Sequence, residues 1–320
     1  MTTEAVRARD ASPTWLPWAL LAVGVCVASV AAILIRYASP AGADPLDLAA
    51  WRASDHSHPL AVSFWRCAAA AAVLAPWALR RVRARPARDW RLPAVAGVFL
   101  ALHFATWITS LALTTVAASV LLVTTTPVFV AIAAYLLLRE RLSRAGWTGI
   151  ALTVAGSALI GGGDLGGRFD ASVLAGDALA LAGAVTVGGY ALAGQVARRH
   201  LGIVEYAFVT YAVAAAALLP VCVAAGIPLG GYSSQAWWAI AGLVAGPQLV
   251  GHTALNLVLK DIDATTVSVA VMAEPVVATV LAYVLFDEVP SALLYPGGAA
   301  ILAGIYLVST MRRPPPVVVE

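Results

Sequence analysis

Four ionisable side chains stand inside apolar stretches of this chain: Arg66, His103, His252 and Glu274. An ionised group taken into an apolar surrounding is costly unless it is paired or put to use. Glu274 is the sharpest case. It lies about ten residues into the run that contains "AVMAEPVVATVLAYVLFDE", and Pro275 follows it. A proline inside a helix gives no N–H to the preceding turn and frees a carbonyl there. Carboxylate and freed carbonyl together could mark a translocation path, with the carboxylate taking up and releasing a proton; the structural alternative is a protonated glutamate hydrogen-bonded to a neighbouring helix. Arg66 lies about seven residues into its run, roughly 10 Å along a helix. Its fork could hold a carboxylate or phosphate bidentately, or pair with an acid of the adjoining loop or with a helix carboxyl end.

Two polar stripes accompany these charges. Gln248, His252 and Asn256 follow one another at steps of four, which places them along one flank of a helix. His103, Trp107 and Ser110 repeat the arrangement at steps of four and three. The first stripe offers hydrogen bonds and Trp107 a flat face, the components of a cradle for a small polar molecule. Each group could instead be satisfied by a neighbouring helix. Tyr190, beside Gly188 and Gly189, is a further candidate for the wall of such a cradle.

The elements that must position these residues follow from composition. Of 320 residues, 61% are hydrophobic and 12% charged, against about 45–50% apolar and about 25% charged in soluble domains, and the mean hydropathy is +0.86. This is the composition of an integral membrane protein. Apolar blocks long enough for helices crossing a core of about 30 Å fall at 16–36, 59–79, 92–113, 114–138, 146–162, 177–197, 204–226, 236–258, 264–286 and 291–311. With the amino terminus in the cytoplasm, cytoplasmic segments carry 16 basic residues and outer loops 3. The positive-inside rule then puts both termini in the cytoplasm of a multi-pass protein of the cell (inner) membrane. The basic run Arg80 to Arg91 reads as a topology signal beside anionic lipid, and no nucleic-acid partner is expected. Cys26, Cys67 and Cys222 lie in apolar blocks without metal-binding spacing. The first block is too long for a cleaved signal, and "LIGGGDLGG" lacks the Lys and Ser/Thr of a phosphate loop.

The chain also repeats itself. Displaced by 148 residues, "PVFVAIAAYLLLRERLS" from Pro127 lies over "PVVATVLAYVLFDEVPS" from Pro275. Pro127 meets Pro275, Tyr135 meets Tyr283, Glu140 meets Glu288, Gly149 meets Gly297 and Gly156 meets Gly304. More weakly, "FWRCAAAAAVLAP" from Phe64 lies over "FVTYAVAAAALLP" from Phe208, which sets Thr210 opposite Arg66. Five helices per repeat is an odd number, so the second repeat enters the membrane from the other side. The expected fold is an all-α integral membrane protein of ten transmembrane helices in two inverted repeats, 1–165 and 170–320, with sites near the midplane between them.

The twice-occurring proline, tyrosine, glutamate and serine pattern, the "FWR" of the second block and the "EP" of the ninth resemble the EamA branch of the drug/metabolite transporter superfamily. That resemblance implies a cavity walled by helices of both repeats, with the last helix of each set aside, and transport of small metabolites. Arg66 without a basic counterpart and a long loop from Tyr37 to His58 depart from its symmetry. The expected function is a secondary-active or facilitative carrier, an exporter, of small polar or amphipathic metabolites such as amino-acid-like compounds or drugs. His103, Trp107, Tyr190, Gln248, His252 and Asn256 would bind substrate, and Glu274, Pro275, Arg66 and Pro127 would couple or gate. Protons and the bilayer are the other expected partners, with no cofactor and no metal; the oligomeric state is left open. A membrane-embedded enzyme, or a scaffold without transport, is the rival class. The chain shows neither G-x-S-x-G nor H-E-x-x-H, nor a helix with two acids at midplane.

Overall fold

In an apolar solvent every backbone N–H and C=O must find its partner within the chain, and a helix does this segment by segment. The computed structural model describes residues 15–39, 44–114, 116–139, 142–162, 171–274, 276–277 and 292–309, and among these every regular element is helical. Five helical stretches are long and apolar enough to cross a membrane: Leu16–Ala38, Pro59–Arg83, Ala87–Leu113, Ala171–Ala197 and Ile203–Ala224. The first consists of α1 (Leu16–Ala28) and α2 (Ala31–Ala38), separated at Ser29, whose hydroxyl donates to Val25 O at 2.8 Å. After the short α3 (Leu48–Ala53) come α4 (Pro59–Arg83) and α5 (Arg91–Leu113).

Some of the other apolar blocks do not form single uninterrupted α-helices. Block 114–138 divides into α6 (Val116–Val123) and α7 (Thr126–Leu138), and the division falls just before Pro127. Pro127 has no N–H for Val123 O, and the Thr126 hydroxyl donates to that carbonyl at 2.6 Å instead. Beyond α8 (Arg144–Gly162), α9 (Ala171–Ala197) and α10 (Ile203–Ala224), block 236–258 opens as α11 (Ser234–Leu243). It widens into a π-helical segment, Val244–His252, around Pro247 and ends as α12 (Thr253–Val258). The ninth block opens as α13 (Ala264–Val271) and turns at Met272 and Ala273, just ahead of Glu274. Thr124 and Thr125 stand at the same place in the first repeat. Pro275 itself, like Glu140, Tyr283 and Glu288, lies outside the described residues, and α14 (Leu294–Ser309) closes the fold.

Glycines set the helix crossings. A methyl group built on Gly97 would stand 2.6 Å from Thr210 O, so α5 and α10 approach backbone to backbone. Along α9, Gly176 meets Leu113 and Thr114, Gly183 meets Trp107 and Gly189 meets Phe99; α9 therefore runs antiparallel to α5. Gly24 on Leu255, Gly251 on Ala28 and Gly242 on Leu34 lay α1 and α2 antiparallel to α12, the π segment and α11. The clearest symmetry is in the last pair. Gly149 packs against Gly304, and Gly156 against Gly297. Because 149 aligns with 297 and 156 with 304, the two repeats present the same glycines to each other in exchanged order, as across a two-fold axis. The order of contacts makes α8 and α14 antiparallel.

The stretch 44–58 folds rather than dangling. Asp47 caps α3 by accepting from Ala50 N at 3.0 Å. Arg52 donates through Nε and Nη2 to Gly226 O at 3.1 and 2.9 Å, where α10 ends with Gly226 at φ +64°. Asp55 O accepts from Ser233 N at 2.7 Å, and Trp65 Nε1 donates to Leu229 O at 3.0 Å. His58 caps α4: its Nδ1 accepts from Leu60 N at 3.1 Å, so Nε2 carries the hydrogen that goes to Pro45 O at 3.0 Å. Burial holds the His58 imidazole below its usual range, against the smaller opposing effect of the Pro45 bond.

Two outcomes are expected from thermal unfolding of the full chain in detergent. Gly97→Ala should destabilise it by about 1–3 kcal/mol through overpacking, whereas Gly246→Ala, whose new methyl would meet only Val27 at 3.7 Å, should be neutral or stabilising by up to about 1 kcal/mol. Because the folded state favours neutral His58, stability should fall as pH drops below the ordinary value of 6.5. His58→Asn, which can still cap α4, should flatten that slope.

Candidate functional site

The interrupted helices surround a cavity of about 110 Å³. Its wall draws on α1 and α2 for Ala28 and Ala31, on α4 for Arg66, and on α5 for His103 and Trp107. The α6/α7 junction supplies Val123, Thr124 and Thr126; α9 supplies Val187, Tyr190 and Ala191. The π segment with α12 gives Pro247, His252, Leu255 and Asn256, and α13 with the turn after it gives Val267, Ser268, Val271 and Glu274. Both halves of the chain thus contribute, while none of the described residues of α8 or α14 lines the cavity. Thr126 and Glu274 are equivalent positions in the repeat, and each stands on the wall one residue before its proline. Discontinuous helices at membrane depth are tolerated where they face protein or a water-filled space.

Aromatic side chains shape one side. His103 stacks on Trp107 with ring centroids 5.7 Å apart and planes 9° from parallel, and its Nδ1 is 3.0 Å from Gly183 O. His252 meets the edge of Phe104 at 5.4 Å and lies 6.1 Å from Tyr190. The Tyr190 hydroxyl accepts from Asn256 Nδ2. Thus His103, Trp107, Tyr190, His252 and Asn256 come together around one space.

Gln248 does not reach the wall. It is fully buried behind Arg66, accepting from Arg66 Nε at 2.9 Å. The π turn around Pro247 changes the angular step along this helix, so Gln248 leaves the flank that continues through His252 and Asn256. Arg66 has 0% exposure. The acid from the adjoining loop that sequence alone offered as its partner is not there: among the described residues no carboxylate lies within 4 Å of it. Its guanidinium carbon instead sits 3.8 Å over the centre of the Phe104 ring. Pro127 is buried beside the wall without lining it, and Pro275 is outside the described residues.

Several polar atoms at this site are buried without a hydrogen-bond partner among the described residues: Arg66 Nη1 and Nη2, Trp107 Nε1, Gln248 Nε2, His252 Nδ1 and Asn256 Oδ1. Such groups are rare in folded chains and call for an explanation. Three residues at the site went unrecognised in the sequence. Phe104 looks like any other apolar residue of α5; only the contact with Arg66 marks it. Thr126 could have been found, because it aligns with Glu274. Ser268 carries no distinguishing signal.

An all-helical, multi-pass membrane protein with a largely apolar cavity that carries a few polar and ionisable groups and is walled by both halves is the class that fold and site define. Residues 52–162 and 174–310 each match the model of the EamA-like transporter family. The chain belongs to that family, which is part of the drug/metabolite transporter superfamily. Among curated proteins nothing matches. A solved structure titled only "Crystal structure of protein" shares the fold with a TM-score of 0.69 at 22% identity, over 91% of this chain and 95% of the other.

Water should reach this cavity. In a Cys26→Ser background, Ser268→Cys is expected to react with a small, water-soluble methanethiosulfonate, whereas Cys67, at 0% exposure, should stay unlabelled. An inert Ser268→Cys in folded protein would mean that the space is sealed.

Proposed function

We propose that this chain is a secondary-active or facilitative carrier that exports small polar or amphipathic metabolites, amino-acid-like compounds among them, by alternating access. The observation that carries this reading is the cavity itself, walled by both halves of the chain at helix breaks that recur in equivalent positions. The exchanged, antiparallel glycine contact of α8 with α14 supports inverted repeats and a ten-helix topology. The excess of basic residues supports cytoplasmic termini in a cell (inner) membrane. In that orientation the wall residues Leu255, Leu259 and Val267 lean toward the cytoplasmic turn between α12 and α13. The outer end is bridged by Arg52, Asp55 and Trp65.

His103, Trp107, Tyr190, His252 and Asn256 would contact substrate, and Glu274 would exchange a proton with it or with water. Rocking of the repeats about the cavity would then expose the site to each side in turn, the two states being biased by whichever ligand binds one of them more tightly. In proteoliposomes, substrate-dependent counterflow is expected. Glu274→Gln should abolish pH-driven concentrative uptake and leave counterflow in place. Concentrative uptake that survives in Glu274→Gln would remove the proton from the mechanism, and the absence of counterflow with every tested amino acid, vitamin and nucleobase would remove the carrier.

A further inference from the structure

We infer that Arg66 is the carboxylate-binding group of the cavity, and that the molecule this site takes is an organic monoanion with a flat apolar body. The inference rests on the carrier reading for its physiological meaning but not for its chemistry. A guanidinium with no exposed surface and no anion within ion-pair distance is costly, because no counter-ion among the described residues offsets its desolvation. Two neighbours nonetheless fix it. Phe104 lies under its plane, and Gln248 occupies Nε. The edge left over is the one between Nη1 and Nη2, both without partners. Two parallel N–H groups on such an edge match the two oxygens of a carboxylate. Gln248 Nε2, on the side chain already bonded to Arg66, is a further unpartnered donor, and Trp107 Nε1 is another on a residue of the same wall.

The rest of the wall defines what is attached to the carboxylate. The stacked rings of His103 and Trp107 offer a flat face, and Ala28, Ala31, Val187, Leu255 and Val271 are apolar. A dianionic phosphate is disfavoured. Among the described residues Arg66 is the only Arg or Lys on the wall, and the same wall carries the carboxyl group of Glu274. Phe104 acts through Arg66 and is a positioning residue.

The test uses purified full-length protein at constant ionic strength, with benzoate and benzamide as probes: they share a flat ring and differ in charge. Binding is read by concentration-dependent thermal stabilisation and by calorimetry. Benzoate should bind at least about 30-fold more tightly than benzamide, the scale expected when one member of a buried charge pair is removed. Arg66→Lys, which keeps the charge and loses the fork, should shrink that preference, and Phe104→Leu should weaken benzoate while leaving benzamide unchanged. The wild-type comparison alone decides the matter if an Arg66 variant fails to fold. Equal affinities, no binding of either probe, or competition by chloride as effective as that of benzoate would each overturn the assignment. Selective benzoate binding without any counterflow would sink the carrier reading and leave the site standing; counterflow of neutral solutes with no carboxylate preference would do the reverse.

Discussion

The structure depends on how closely its helices can approach. Between helices in lipid there is no hydrophobic gain to be had, because the acyl chains are as apolar as leucine, so association relies on van der Waals contact and hydrogen bonds across small residues. Here the contacts bring one helix against the backbone of another: Gly97 on Thr210 O, Gly156 on Gly297 O, Gly149 on Gly304 O. A side chain at any of these would push the paired helices apart, and at Gly97 it would displace α5, which carries His103 and Trp107 on the cavity wall. The same contacts leave α8 and α14 paired with each other, so the remaining helices are free to form the enclosed space.

Among those remaining helices are the interrupted ones. In the first repeat the hydroxyl of Thr126 donates to Val123 O, the carbonyl that Pro127 cannot serve. In the second repeat a glutamate occupies the equivalent position, and Val271, four residues before Pro275, also faces the cavity. One repeat closes its break with a neutral hydroxyl, whereas the other places a titratable group there. A proline that would be a defect in a lipid-facing helix thus lets a turn open at the cavity wall in both halves.

Much of this was legible in the chain itself. Pro127 with Pro275, and the glycines 148 residues apart, revealed the repeat, and family membership follows over 52–162 and 174–310. His103, Trp107, His252, Asn256 and Glu274 were visible because polar groups in apolar runs are expensive wherever they fall. The helix interruptions were harder. Composition reports an apolar block, but whether a Pro kinks, breaks or widens it depends on which neighbours take up the freed backbone groups. Gln248 was misplaced for that reason, since spacing by four assumes an α-helical step that the π segment does not keep. Phe104 was invisible because a ring that positions a cation and a ring that fills a core are the same letter.

Arg66 and Glu274 come from opposite repeats, and neither has an ionisable counterpart: Arg66 aligns with Thr210, and Glu274 with Thr126. The Thr210 hydroxyl is spent on Pro93 O at 3.3 Å, within the α5–α10 packing. This asymmetry has a mechanical meaning. Two unit charges 4 Å apart at an effective dielectric of 20 attract by about 4 kcal/mol, and the attraction falls inversely with distance. In the proposed carrier, movement of one half against the other would change the Arg66–Glu274 separation and so would link conformation to charge state. An anion held by Arg66, or a proton held by Glu274, alters the same attraction. On the carrier reading, one such group in each repeat would tie occupancy of the cavity to the relative position of its walls.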